Sequence, residues 1–389
     1  MPLSTRVSHT ALRRTFWHKL TALRFRRAAT FVIIGLTVIG SDTITASSEP
    51  LETIPSGEAQ DLEAIVDRAL QELRTHYPPG SYPVRRDAHA KAHGCVKAIF
   101  HVDDNIPPDL RVGLFADPGA SRKAWIRFSN GAFDVRPDNA PDGRGMAIKI
   151  LDSAPGSTAS GHIAEHDFLM INYPIFFLSN ARDYRNFADA GAITGDRWSL
   201  LKYFLWHPWQ GYIAIKTART KIESPLTARY YTMAPFAFGA ERAVKYSARP
   251  CIDHGTATLD PATVKTDDPD FLRTILAKQL QTSPACFEML VQERKGNMPI
   301  EDATAEWSES QSPYRRVATL EIPKQDITEA GRDAFCENLS FSPWNAPADE
   351  QPLGGINRIR RTVYEKISAY RHERNKAEVP DAAAAWDRF

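Results

Sequence analysis

Cys95–Val102 reads CVKAIFHV, Lys123–Ser129 reads KAWIRFS, Gly145–Leu151 reads GMAIKIL and Asp167–Pro174 reads DFLMINYP. Each is a short apolar run rich in β-branched and aromatic residues, the composition of a strand. Arg242–Ser247, Cys286–Gln292 and Arg316–Pro323 continue the series. Turn formers separate most of them, as in Pro137–Gly143, PDNAPDG. Helical patterns flank the runs. Between residues 58 and 76, Leu62, Ile65, Val66, Leu70 and Leu73 form one apolar face, and further helices are predicted near 179–218, 268–281, 326–337 and 355–376. Seven or eight strands without regular helix alternation predict an α+β protein: an antiparallel barrel dressed with helices, not a parallel doubly wound sheet.

The 389 residues are 43% apolar and 24% charged, an ordinary globular composition with ample material for a buried core. The formal charge of +1 conceals an asymmetry. Residues 1–41 carry seven Lys/Arg and no acid, leaving 41 basic against 47 acidic residues, about −6, for the remainder. An acidic body argues against a nucleic-acid partner, which demands clustered basic charge. After the basic stretch, Ala28–Gly40 (AATFVIIGLTVIG) is short for a spanning helix but suits a signal-peptide core. Residues 1–47 are therefore expected to be a signal peptide or a short membrane anchor. Residues 48–389 then form the working domain, exported to the periplasm or held at a membrane outside the cytoplasm. Cys95, Cys251, Cys286 and Cys336 contain no CxxC pair, which excludes a zinc ribbon; Cys95 and Cys286, inside apolar runs, are expected to be buried thiols.

GxSxG, Walker A and GxGxxG motifs are absent, which removes the usual serine hydrolases and nucleotide enzymes. His162–His166 matches HxxEH but precedes a strand-like run, where the two imidazoles would not share a helical face. His89 and His93 lack an intervening glutamate. The last helical pattern is more informative. Arg360, Tyr364 and Arg371 fall on one face, and a tyrosine flanked by arginines is drawn toward the phenolate, a ligand for haem iron. A plain solvated basic helix has the same spacing.

Four segments in one order resemble the catalase family. Arg86–Gly94 (RDAHAKAHG) is similar to its RxxHAKGxG. Arg127-Phe128-Ser129 with Asp142–Lys149 (DGRGMAIK) is similar to its RFS and DPRGFAxKF. Asp167–Phe177 (DFLMINYPIFF) is similar to its DLVGNNTPxFF. Phe341–Asn345 (FSPWN) with Leu353, Arg360, Tyr364 and Arg371 is similar to its FSPxN and LxGRxxxY. The resemblance spans residues 86–371. It implies an eight-stranded antiparallel barrel with surrounding helices, without the long C-terminal helical region of full catalases. It also implies haem b, with Tyr364 as iron ligand, Arg360 as its cation, and Arg86, Arg127 and Arg371 pairing with the propionates. His89 would be the distal base that moves a proton between the peroxide oxygens, and Ser129 would lie near the distal face.

The sequence departs from the family at two places. Ile171 aligns with the distal asparagine, so Asn172 is the candidate polar group beside His89; Ala92 replaces a glycine. Loss of a group that orients a second peroxide favours peroxidase over catalase behaviour. The expected substrate is a small-molecule hydroperoxide, organic or H2O2. The alternatives are a fatty-acid hydroperoxide isomerase and a haem-binding protein with little turnover. Leu200–Tyr212 (LLKYFLWHPWQGY) is expected either to pack on the barrel or to wall a site for a bulkier hydroperoxide. Homo-oligomerisation is left open.

Overall fold

The computed structural model of the chain describes residues 50–152, 165–191, 196–252 and 266–389. The signal or anchor expected in residues 1–47, and His162, lie outside the described residues.

The strands are β1 (Ala92–Val102), β2 (Ser121–Asn130), β3 (Arg144–Ile150), β4 (His166–Ile171), β5 (Tyr230–Tyr231), β6 (Phe236–Ala237), β7 (Ala243–Pro250), β8 (Ala285–Glu293) and β9 (Arg315–Ile322). All neighbours are antiparallel, in the order β5-β4-β3-β2-β1-β9-β8-β7-β6. The ring closes at β5, where Tyr231 lies opposite Ile171 of β4 and Ser247 of β7. With β6 appended to β7 outside that circuit, the barrel has eight strands, as expected from the sequence.

Side chains alternate across each strand, so a barrel separates every second residue. Val96, Ala98 and Phe100 of β1, Ile126 and Phe128 of β2, Met146 and Ile148 of β3, and Phe168 and Met170 of β4 share the main core. Arg127, Ser129, Ala147, Leu169 and Ile171 take the opposite parity, and this outer face is where the helices settle. A second core joins α1 (Glu58–His76), α2 (Ala181–Asp189) and α7 (Gly355–Asn375) through Ile65, Leu73, Phe187, Ile359 and Val363. The start of α7 is clamped by Arg358, whose guanidinium binds Glu58 at 2.5 Å, Glu301 at 2.7 Å and also Glu52.

The pattern near 179–218 resolves into three helices, α2, α3 (Arg197–Trp206) and α4 (Pro208–Arg219). Pro208 sets the last break, since it has no N–H to continue α3 but is well suited to the first turn of α4. α5 (Phe271–Thr282), α6 (Arg332–Asn338) and α8 (Ala382–Arg388) complete the coat. α6 begins later than the pattern at 326–337 suggested, after Gly331 in a left-handed conformation.

The cysteines correct the sequence reading. Cys95 and Cys286 are buried, but neither is a thiol: Cys95 of β1 is bonded to Cys336 of α6, and Cys286 of β8 to Cys251. Separations of 241 and 35 residues hid these pairs from any local motif. Among the described residues no cysteine is free.

Phe100 is fully buried in the barrel core. Replacing it with alanine is expected to cost about 3–5 kcal/mol. The check is a urea unfolding midpoint that falls while its slope stays unchanged.

Candidate functional site

Two adjoining cavities, of about 100 and 570 Å3, share Arg86, Asp87, His89, Met233, Arg360 and Tyr364 in their walls. The floor of the smaller cavity is the outer face of β2 and β3, with Arg127, Ser129, Gly145 and Ala147. The opposite wall is α7. Arg360, Tyr364, Ser368 and Arg371 recur at helical spacing and face the smaller cavity together. The FSPWN segment is tied to β4 beneath them. Asp167 accepts from Ser342 N and Asn345 Nδ2, both at 2.9 Å, and Lys149 Nζ adds a bond at 3.0 Å.

His89 sits in the left-handed backbone region, φ 59°, an uncommon conformation for a residue with a side chain. Bonds from His89 N to Gly131 O and from Ala90 N to Ala132 O, both 3.1 Å, hold it there. The ring is fixed from the strand side. Nδ1 lies 2.9 Å from Asn130 O and 3.1 Å from Ser129 Oγ. A carbonyl can only accept, so Nδ1 carries the proton and Nε2 keeps the lone pair. Gly145 makes this approach possible, because a Cβ there would fall 2.5 Å from His89 Nδ1. Burial and the Arg127 charge hold the His89 ring down to about 4, against the opposing pull of Asn130.

The arginines form a cluster short of acids. Glu337 binds Arg371 at 3.0 Å and Arg86 at 3.4 Å, with Arg85 at 3.8 Å from its other oxygen. Arg127 donates to His89 O at 2.9 Å, while its buried Nε has no hydrogen-bond partner. Burial depresses Arg86, Arg127 and Arg371 below the ordinary arginine value; Arg127 falls to about 10. For Arg86 the next cause is repulsion by Arg127 and Arg371. Such a cluster is built to receive carboxylates.

Tyr364 is hydrogen-bonded by Arg360, whose NH1 also donates to Asn357 Oδ1 at 3.2 Å. The phenolate expected from the arginine spacing is not favoured by the protein alone. Burial raises the Tyr364 phenol above its usual value, and Arg360 offsets only part of this. A metal cation at the oxygen would supply the missing charge.

Of the residues singled out from sequence, Arg86, His89, Arg127, Ser129, Arg360, Tyr364 and Arg371 converge on the smaller cavity. Asn172 does not. Its Oδ1 accepts from Arg144 N at 2.7 Å and its Nδ2 reaches Thr220 O at 3.4 Å, so it ties backbone together and lines neither cavity. The reason is strand parity: Ile171 takes the outward position and lines the larger cavity instead. His166 lies in β4, stacked on Phe168, so the HxxEH match is not helical. Among the described residues no group of three His, Cys, Asp or Glu could hold a metal. Sequence reading missed Glu337, which lay in no motif, and Met233, whose φ of 62° is invisible in a chain without glycine at that point.

The catalase family model matches residues 52–196. The catalase-related peroxidase of Mycolicibacterium paratuberculosis is 27% identical over 253 residues, covering 63% of this chain and 77% of that protein. A fungal catalase superposes with a TM-score of 0.57 at 18% identity, over 76% of this chain and 61% of its own. Catalase A of Saccharomyces cerevisiae gives 0.55 at 18% (78% and 64% of the two chains), and a bacterial catalase 0.57 at 18% (86% and 64%). The chain thus spans less than two thirds of the length of these catalases. It has the catalase fold, and its sequence is similar to that of a catalase-related peroxidase.

His89 has a testable signature in the free protein. Its ring is neutral above about pH 5 and protonates near 4. In the unfolded chain it would take up the proton near 6.5, so its contribution to stability is complete above that value and declines as pH falls toward 4. An NMR titration should show no protonation of this imidazole near 6.5.

Proposed function

We propose that the protein is an exported, haem-dependent peroxidase that acts on hydroperoxides, with Tyr364 as iron ligand and His89 as proton carrier. The observation that carries this reading is the partnerless Nε of Arg127 inside a buried arginine cluster, in the same cavity as Tyr364 and His89. Haem b fits these residues. Its two carboxylates match the surplus of Arg86, Arg127 and Arg371, and its iron would meet the phenol that burial otherwise keeps protonated. The larger cavity, about 570 Å3, lies in the range of cofactor sites and shares Arg86, His89, Arg360 and Tyr364 with the smaller one. When bound, haem supplies a redox-active iron able to polarise a peroxide and accept its oxidising equivalents.

The chain's own groups then have defined tasks. Arg360 donates to the Tyr364 oxygen, withdrawing electron density from the iron ligand. Nε2 of neutral His89 takes the proton from the inner oxygen of a hydroperoxide and returns it to the outer oxygen, so that a neutral alcohol or water leaves. Ser129 and Asn130 keep the ring in the required tautomer. Ile171 offers no hydrogen bond where the family places an asparagine. A second H2O2 therefore lacks its positioning group, while the alkyl part of an organic hydroperoxide finds Ile171, Ile175, Phe176 and Phe177 in the larger cavity. The two disulfides support export, since such bonds persist in oxidising compartments.

Purification with haem supplied tests the assignment directly. Tyr364→Phe is expected to lose most of the Soret absorbance; full haem content with an unchanged band would sink the ligand role. His89→Ala should retain haem and lose about 100-fold or more in peroxidase turnover.

Ile171→Asn tests substrate preference. Restoring an amide at the cavity wall is expected to raise oxygen release from H2O2 relative to dye oxidation by an organic hydroperoxide. An unchanged ratio would remove Ile171 from the account.

A further inference from the structure

Helices α3 and α4 present a surface that the peroxide reading does not use. α3, RWSLLKYFLW, carries seven apolar or aromatic residues in ten, yet Tyr203 is its one buried residue. Trp206 is 85% exposed, Trp198 71% and Leu205 69%, and Trp209, Tyr212 and Ile215 of α4 are about half exposed. A helix of this composition is normally covered, and large apolar side chains gathered in the open on one helix pair mark an interaction site. The pair is firmly held. Tyr203 OH donates to Asp183 Oδ1 at 2.5 Å, Asp196 caps α3 by accepting from Ser199 N at 2.9 Å, and Gly211 lets α4 approach Phe204. Trp209 stacks on Tyr212 with ring centroids 5.3 Å apart, so the exposed rings are preorganised.

We propose that α3 and α4 seat the protein on the surface of an anionic lipid bilayer. Charge selects this occupant. Residues 197–219 contain Arg197, Lys202, Lys216 and Arg219 and no acid, in a body that is acidic overall. Apolar and aromatic residues with flanking cations are the composition of a helix that lies in the bilayer interface, with Trp and Tyr at headgroup level. A second copy docking through the same face would oppose four cations to four cations, which disfavours self-association. No helix among the described residues is long and apolar enough to cross a membrane, so this contact rests on the surface.

The test uses the full chain with vesicles of phosphatidylcholine and phosphatidylglycerol carrying brominated or ordinary acyl chains. Emission from Trp206 and Trp209 is obtained by subtracting a Trp206→Phe/Trp209→Phe variant, which leaves any attachment through residues 1–47 in place. That difference emission is expected to lose more than half its intensity with brominated lipid. A Lys202→Glu/Lys216→Glu/Arg219→Glu variant should weaken the quenching at least tenfold in lipid concentration. Equal difference emission with both lipids would overturn the proposal. So would rings shielded without lipid, by a concentration-dependent dimer or by the chain's own N-terminal segment.

Discussion

The two residues of β5 carry a constraint on which the rest of the molecule depends. Without Tyr230 and Tyr231, β4 would present an unpaired edge and β7 would lose its pairing at Ser247 and Ala248, leaving buried backbone groups without partners. With the ring closed, parity is fixed all the way round, because a slip of one residue would exchange the inner and outer faces. The core on one side and the cavity floor on the other are therefore two consequences of a single register. Tyr230 is buried in the barrel core, and its hydroxyl donates to Pro225 O at 2.8 Å. Closure is thus secured from inside as well as by the ladder.

Much of this was legible in the chain, and the reasons it was or was not are physical. The seven apolar runs announced their strands because burial on one face demands a run of that length. β5 was illegible because two residues carry no pattern. Asn172 drew attention as the surviving amide beside Ile171, but backbone register decides which of two adjacent side chains faces a cavity, and alignment by letters does not contain that register. The α7 face, by contrast, follows from helical spacing alone, and Arg360, Tyr364 and Arg371 fall together in the structure. The disulfides depended on contacts between distant segments, which no local spacing encodes.

Electrostatics gives the site its character. Glu337 is shared by Arg86 and Arg371, with Arg85 close by, and Asp87 acts on Tyr364. The same positive surplus acts on both functional side chains in useful directions. Burial, reinforced by Arg127, Arg360 and Arg86, keeps His89 neutral, and Arg360 opposes the effect of burial on Tyr364. Arg360 therefore acts on both side chains at once, and the large apolar wall strengthens each interaction by excluding water.

Gly145 makes the imidazole vulnerable in a way that stability would not reveal. The position lies within a regular strand, so alanine is acceptable to the local backbone. The added methyl would nevertheless occupy the space of the ring and of Ser129 Oγ, which would lie 2.7 Å from it. The imidazole would have to retreat, and displacements of about 1 Å at such a group can cost on the order of 100-fold in rate. Under the proton-carrying role proposed for His89, alanine at this position would lower turnover by displacing the ring.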